Sequence, residues 1–194
     1  CLPPHIPTYA HVLGYHGYHV TGFGKFHQTP MPWPHAADYR HLGFHETLIT
    51  EDPKWGPYLE WIRLEHREHF ETALAMAWGD PRDFPAGLEE AYDVERVRRA
   101  RARILQPLRS GNAWHAIYPS PLPAELHQTA WITDVSIEAI REHRREREDQ
   151  PFFCHISYVD PHDPYDPPAP YDTLFPAADM PEPIPAAWAD EPHN

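Results

Sequence analysis

The apolar positions near the start of the chain recur at the spacing of an α-helix. Tyr9 and Leu13 follow Thr8, a residue type that caps the N-termini of helices, and Gly17 is a natural stop. Residues 18–23 then form a short run that is rich in residues favouring β-strands. This pattern predicts a helix that leads directly into a strand.

A second helix and strand follow in the same order nearer the end of the chain. Residues 152–159 are mostly apolar and aromatic, which predicts a strand, and the proline-rich residues 160–168 predict a rigid loop after it. The charged residues 141–149 predict a solvated helix end before the strand. An apolar stripe at helical spacing predicts the helix itself, and its members are Leu126, Ala130, Thr133, Ile137 and Ile140.

The alternation of helix and strand predicts an α/β fold with a parallel sheet, whose ligands bind beyond the carboxyl ends of the strands. Between the two units, residues 29–53 and 107–123 predict loops, and residues 55–70 and 89–105 predict helices. We predict that all 194 residues of the chain are part of one domain. Within it, residues 46–120 are predicted to be an inserted region that governs specificity.

The charge of the chain restricts its partners. Lys and Arg number 16 against 29 Asp and Glu, which gives a formal charge of −13. This balance argues against general nucleic-acid binding, which needs a basic face, so any anion site must be a local positive pocket. The two cysteines are too far apart in sequence to suggest a disulfide framework, and no apolar run reaches the length of a membrane span.

Lys25 and His27 lie just past the first predicted strand. Two residues apart in an extended segment, their side chains leave on the same side and can converge on one oxyanion. Such donors stabilise the charge that develops on a transferred sulfuryl or phosphoryl group. The alternative is a surface lysine beside a histidine that only packs.

His162 lies between two prolines, with Asp160 and Asp163 as neighbours. Since the prolines fix the backbone, the imidazole is held in place and could act as a general acid toward a leaving oxygen. The same His and Asp cluster could instead ligate a metal ion, or it could form a rigid surface turn without further function.

Two other groups have simpler interpretations. Trp55, Trp61 and Trp114 could line a sugar- or aryl-binding pocket, although packing in the core is their commoner role. A basic run could contact an anionic polymer, but acidic neighbours favour the solvated face of a helix. Its members are Arg96, Arg98, Arg99, Arg101, Arg103 and Arg109.

Three blocks of this sequence, in the right order, resemble the sulfatase family. Residues 6–13 read I-P-T-Y-A-H-V-L and residues 17–27 read G-Y-H-V-T-G-F-G-K-F-H, close to the family signature I-P-T-L-A-x-x-L and G-Y-x-T-x-x-x-G-K-W-H. Residues 127–140 resemble the helix before the next core strand of the family. Residues 151–165 resemble the strand and loop that carry a further active-site histidine.

The resemblance implies an alkaline-phosphatase-like α/β fold and hydrolysis of sulfate esters of small molecules or saccharides. Phosphate or phosphonate esters are the substrates of close relatives. The family nucleophile is a formylglycine assisted by a divalent cation, usually Ca²⁺. By motif match, Lys25 would contact the sulfate, His27 would hydrogen-bond the nucleophile, and His162 would touch the sulfate and protonate the leaving oxygen.

Some parts of the family pattern do not occur in this sequence. His5 stands where the nucleophile motif C/S-x-P-x-R has Arg, and the metal-binding Asp pair of the family has no counterpart. We therefore expect the chain to be a central fragment without metal ligands, inactive in isolation, whose nucleophile and cation come from other segments. The remaining alternative is a non-catalytic, histidine-rich module that binds metals or anions.

Overall fold

The computed structural model describes residues 2–3, 5–28, 39–77, 92–105, 117–182 and 184. Within these residues, α-helices flank one three-stranded sheet with the order β2-β1-β3. The helices are α1 (Tyr9–Tyr15), α2 (Pro57–Glu65), α3 (Phe70–Met76), α4 (Val94–Leu105) and α5 (Gln128–Glu146). The strands are β1 (His19–Gly24), β2 (Glu46–Ile49) and β3 (Phe152–Ser157).

The predicted first helix and strand are confirmed. Thr8 caps α1 through a capping box, in which its hydroxyl accepts from His11 N (3.3 Å) and its own N donates to His11 Nδ1 (3.2 Å). The helix ends before Gly17, whose φ of +86° favours glycine. The chain then enters β1, in which every residue is buried.

The predicted parallel sheet is also confirmed, with β1 at its centre. β1 runs parallel to both neighbours, and Gly24 is opposite Ile49 on one side and Ser157 on the other. All three strands therefore end at the same edge of the sheet. The segments that leave β1, β2 and β3 start side by side there.

The prediction that residues 29–53 form one long loop is wrong at β2. Residues 46–49 pair with β1 along the edge of the sheet, while residues 29–38 lie outside the described part of the chain. A four-residue strand whose first residue is exposed and only Ile49 is buried has little apolar periodicity. Its pairing with β1 defines it more than its own sequence does. The predicted insertion over residues 46–120 stays a prediction.

The predicted helices of the middle region are confirmed with different limits. A 3-10 turn divides the predicted helix 55–70 into α2 and the start of α3, and α4 covers 94–105 of the predicted 89–105. Residues 89–91 and most of the predicted loop 107–123 lie outside the described residues. The main apolar core lies between these helices and α5, and its largest buried members are Tyr58, Ile62, Phe70, Leu74 and Ile132.

The helix predicted before β3 is confirmed as α5, but its predicted apolar stripe matches the buried face only in part. Leu126 lies in a 3-10 turn before the helix, and Ile137 is 40% exposed. The buried face carries Trp131 and Ile132 together with polar residues. Polar side chains are buried because each finds a partner: Ser136 Oγ, for example, donates to Ile132 O at 2.6 Å. Counting apolar residues alone could not identify this face.

The second predicted strand is confirmed as β3, two residues shorter than expected. Trp55 is buried in the core and Trp61 packs against it, as the simpler interpretation predicted, whereas Trp114 lies outside the described residues. Among the residues that the structure describes, no helix has both the length and the apolar character to cross a membrane.

We expect Gly24→Ala to destabilise the protein much more than Gly17→Ala. Both glycines have positive φ, but a Cβ on Gly24 would lie 1.9 Å from Ser157 O, while a Cβ on Gly17 would meet nothing within 4 Å. Gly17→Ala should cost about 1 kcal/mol of unfolding free energy from backbone strain alone. Gly24→Ala should cost ~3 kcal/mol or more, because two strands must separate. Urea unfolding of both variants measures the difference, and equal losses would contradict the strand contact.

Candidate active site at the carboxyl edge of the sheet

Lys25 and His27 leave β1 at the edge where the strands end. Lys25 N donates to Ser157 O at 2.9 Å, which continues the pairing with β3 for one more residue. His27 then adopts φ +51°, so the chain turns sharply after the strand. The Lys25 side chain is 15% exposed and that of His27 is 53% exposed. His27 is thus the more accessible of the two predicted site residues.

Glu51 holds this turn from the neighbouring strand end. Its Oε1 accepts from Phe26 N (3.0 Å) and His27 N (2.8 Å). Its Oε2 is buried and has no hydrogen-bond partner among the described residues. A carboxylate that accepts two backbone N–H bonds fixes the direction in which the following side chains point. Sequence reasoning did not identify Glu51.

Asp52 is the residue on which the three predicted site residues converge. It is 1% exposed and forms an ion pair with the Lys25 ammonium. His27 Nδ1 lies 4.0 Å from Asp52 Oδ2, and His162 Nδ1 lies 3.8 Å from Asp52 Oδ1. We call Lys25, His27, Asp52 and His162 the Asp52 cluster. Asp52 could have been identified from the sequence, because it is an acidic residue that shortly follows the apolar pair Leu48 and Ile49, where a strand ends.

His162 is fixed by its own loop. Its backbone N donates to Val159 O (3.0 Å), and its Nδ1 donates to Asp163 O (2.8 Å). Since a carbonyl oxygen only accepts, Nδ1 carries a proton, and Nε2 is the nitrogen that can exchange a proton with a bound molecule. This geometry suits a general acid when the ring is cationic and a hydrogen-bond acceptor when it is neutral.

A candidate metal-binding group overlaps the Asp52 cluster. One ligand atom from each of His27, Glu51 and Asp52 lies within 4.8 Å of the others. Two carboxylates and an imidazole suit a divalent cation. Ca²⁺ typically takes six to eight oxygen ligands, so it would need further ligands besides these residues. The Lys25 ammonium competes for Asp52. The group was not predicted, since the sequence pointed to metal ligands outside this chain.

A buried polar network lies behind the loop that carries Glu51 and Asp52. Lys54 is 4% exposed, and its Nζ lies 3.0 Å from Asp166 Oδ2 and 3.3 Å from Gln128 Oε1. Gln128 Nε2 donates to Thr50 Oγ1 (2.6 Å) and to Glu51 O (3.1 Å). These contacts fix both ends of the loop 50–54, and so they hold the acidic residues of the site in place.

Asp166 is charged despite its burial. Burial raises the pKa of Asp166, but the Lys54 ammonium and His127 outweigh it and hold the pKa below its ordinary value. The same burial raises the pKa of Tyr58 and Tyr118, and the Asp166 charge adds to that rise. Both phenols are therefore neutral hydrogen-bonding groups near this network.

A cavity of about 630 Å³ adjoins the site. The first two residues of the His162 loop, Asp160 and Pro161, form part of its wall. The start of α5 contributes His127 and Thr129, and Asp166 closes the side next to the buried network. The cavity wall thus includes the residue that directly precedes His162 in the chain.

The arginine run does not extend this site. On α4, Arg96 pairs with Glu71 at 2.8 Å and Arg98 pairs with Glu95 at 2.6 Å. These pairs agree with the solvated helix face that the acidic neighbours indicated, whereas Arg101 Nη1 donates to Ala77 O at 2.6 Å and Arg109 lies outside the described residues.

Comparison with known proteins gives two informative matches. The chain is 36% identical over 80 residues to an arylsulfatase of Clostridium perfringens (strain 13 / Type A), which covers 41% of this chain and 16% of the relative. It is 35% identical over 72 residues to the multifunctional alkaline phosphatase superfamily protein PehA of Trinickia caryophylli, which covers 37% of this chain and 13% of that protein. The matched parts thus span well under a fifth of each relative. No family model matches the chain.

These matches confirm the resemblance that the sequence motifs indicated. The chain is related to the sulfatases and to the alkaline phosphatase superfamily. Its mixed α/β fold with a parallel sheet is compatible with part of an alkaline-phosphatase-like domain.

We expect Asp166→Asn to lose stability in a pH-dependent way. A carboxyl group whose pKa is depressed by folding stabilises the protein above its unfolded pKa, ordinarily 3.8 for Asp, and this contribution is lost as the pH falls through the folded value. Near pH 7 the variant leaves the buried Lys54 without its anionic partner, at a cost of about 3–5 kcal/mol. As the pH falls through the folded value, which lies below 3.8, the difference from the unchanged protein should shrink.

Urea unfolding at both pH values tests this expectation. Asp149→Asn is the matched control, because Asp149 is exposed in the turn after α5 and should change stability little at either pH. A penalty for Asp166→Asn that is the same at both pH values would mean that packing rather than charge makes the contribution.

Proposed function

We propose that this chain supplies part of the active site of a sulfuric ester hydrolase. The observation that carries the proposal is the Asp52 cluster, in which Lys25, His27 and His162 surround one buried carboxylate at the carboxyl edge of a parallel sheet. Ligands of parallel α/β sheets bind at this edge. The arylsulfatase relative supports a sulfate ester as the substrate.

In the proposed reaction, Lys25 binds a sulfate oxygen. Its ammonium has three donors, of which Asp52 takes one, so the remaining donors can serve an anion. Asp52 keeps the ammonium in place and limits the net positive charge before substrate binds. His27, held by the contact of its backbone N with Glu51, donates a hydrogen bond to the nucleophile.

His162 completes the proposed site as the general acid. With Nδ1 committed to the carbonyl of Asp163, its Nε2 gives a proton to the leaving oxygen as the S–O bond breaks. The nucleophile is a formylglycine from a segment outside this chain, and Ca²⁺ is the proposed cation, supplying charge for the sulfate oxygens. His27, Glu51 and Asp52 could contribute part of its ligands.

A second candidate is hydrolysis of phosphate or phosphonate esters. The PehA relative is named a multifunctional protein of the alkaline phosphatase superfamily, which favours this alternative. The same donors would serve a phosphoryl oxygen, because both groups present tetrahedral anionic oxygens. A non-catalytic metal-binding module is the third candidate, and the His27, Glu51 and Asp52 group favours it.

We expect Lys25→Met to weaken sulfate binding by this chain about tenfold or more. A hydrogen bond to a charged group contributes about 1.5–3 kcal/mol, which corresponds to at least that change in Kd. Titration with sodium sulfate, followed by amide shifts of residues 25–27 in NMR spectra, measures the affinity. Arg141→Met removes an exposed positive charge on α5 and is the control. Equal affinities of the two variants would exclude Lys25 as the anion ligand.

We expect His162→Ala to affect poor leaving groups most. In a protein that contains this chain together with the nucleophile segment, the variant should hydrolyse an alkyl sulfate roughly 10²-fold or more slowly. Nitrophenyl sulfate should suffer less, because its leaving oxygen needs little protonation. His27→Ala should slow both substrates alike. If His162→Ala also slows both substrates alike, His162 binds the sulfate and is not the acid.

A further inference from the structure

The cavity beside the His162 loop is lined by none of the residues of the Asp52 cluster, at which the sulfate is proposed to bind. Its volume of about 630 Å³ is within the range of pockets that bind small organic molecules. Asp160 and Pro161 belong to its wall, and His162 is the next residue. The cavity and the Asp52 cluster thus share the loop that contains residues 160–162, and an ester bound at the cluster could extend its organic part toward this wall.

The cavity wall combines rigid apolar surface with aromatic side chains. Pro161, Pro167 and Pro168 fix the backbone on one side, and Tyr165 and Tyr171 lie along the same loop. Such a wall provides apolar contact without much loss of side-chain freedom, and tyrosine rings also attract cations.

The charged residues of the wall are acidic. Glu125, Asp160 and Asp166 contribute carboxylates, and none of the residues described as lining the cavity is a lysine or arginine. Lys54 compensates only Asp166, from behind the wall. Asp160 is held in place by the Thr129 hydroxyl, which donates to its Oδ2. The charge of the cavity is thus opposite to that of the cations in the Asp52 cluster.

His127 gives a second sign that the cavity wall is built for a ligand. Its Nδ1 accepts from Thr129 N (3.3 Å), so the neutral ring carries its proton on Nε2. His127 is 5% exposed, and Nε2 has no hydrogen-bond partner among the described residues. Asp166 Oδ1 lies 3.6 Å from Nε2, so its charge attracts the ring at a distance longer than a hydrogen bond. A buried donor without an acceptor is unfavourable, and because His127 lines the cavity, an oxygen atom of a bound molecule could accept from Nε2.

We propose that this cavity binds the organic part of the substrate and selects a positively charged group over an anionic one. The inference rests on the proposed ester hydrolysis, since it assigns the sulfate to the Asp52 cluster and the leaving group to the cavity. A dipolar substrate would place its negative end at Lys25 and its positive end among the carboxylates. A polyanionic substrate would be rejected by Glu125 and Asp160.

Three sulfate-free probes of similar shape and different charge test the proposal on this chain. Tyramine is cationic, 4-ethylphenol is neutral and 4-hydroxyphenylacetate is anionic. In calorimetric titration, tyramine should bind most tightly, 4-ethylphenol less tightly and 4-hydroxyphenylacetate most weakly. Each step should be on the order of tenfold in Kd, as expected for charges several ångströms apart near a protein surface.

The double variant Glu125→Gln/Asp160→Asn removes two carboxylates from the wall while keeping the shapes of both side chains. It should abolish most of the preference for tyramine over 4-hydroxyphenylacetate. Glu142→Gln/Asp149→Asn makes the same charge change at exposed positions and should keep the preference. Circular dichroism checks that both variants fold.

The outcomes separate this inference from the proposed function. If 4-hydroxyphenylacetate binds as tightly as tyramine, or if no probe binds, the inference is overturned, whereas sulfate binding that depends on Lys25 would still support the proposed function. If the two double variants behave alike, the preference comes from the overall charge of the chain, and the cavity is not selective. If tyramine binds but sulfate does not, the selectivity of the cavity is supported and the proposed ester hydrolysis is contradicted.

Discussion

The site depends on one close approach in the sheet. Gly24 faces Ile49 on one side and Ser157 on the other, and the Ser157 carbonyl occupies the space that any Cβ at position 24 would need. Because the three strands reach the same edge, the segments after them meet. Lys25 and His27 follow β1, and Asp52 follows β2. Without this register, residues far apart in sequence would have no common site.

The buried carboxylate of Asp52 then organises the charges that meet at this edge. An isolated carboxylate that is 1% exposed would be strongly unfavourable, so its partners must be cationic or hydrogen-bond donors. Lys25 supplies the charge, and His27 and His162 lie at about 4 Å. This arrangement holds the ammonium in a fixed position before any anion arrives. The ammonium is thus a preorganised donor for negative charge.

A second buried pair, Lys54 and Asp166, supports the first from behind. Through Gln128 it fixes Thr50 and the backbone of Glu51, and on its other side Asp166 forms part of the cavity wall. The Asp52 cluster, which is the proposed anion site, and the cavity therefore share one loop and one polar network. A change at either place has a structural route to the other, through contacts of about 3 Å.

The sequence by itself determined the elements with strong local signals and the residues with family motifs. The Thr8 cap, the helix that follows it and β1 could be predicted, as could the placing of Lys25, His27 and His162 after strands, because caps, periodicity and glycines act over a few residues. Only the tertiary structure decided that residues 46–49 are a strand, that Glu51 and Asp52 complete the site, and that the buried face of α5 includes Gln128 and Ser136. These three features depend on partners many residues away in the sequence. The burial of a polar residue can be recognised only once the hydrogen-bond partners that satisfy it are known.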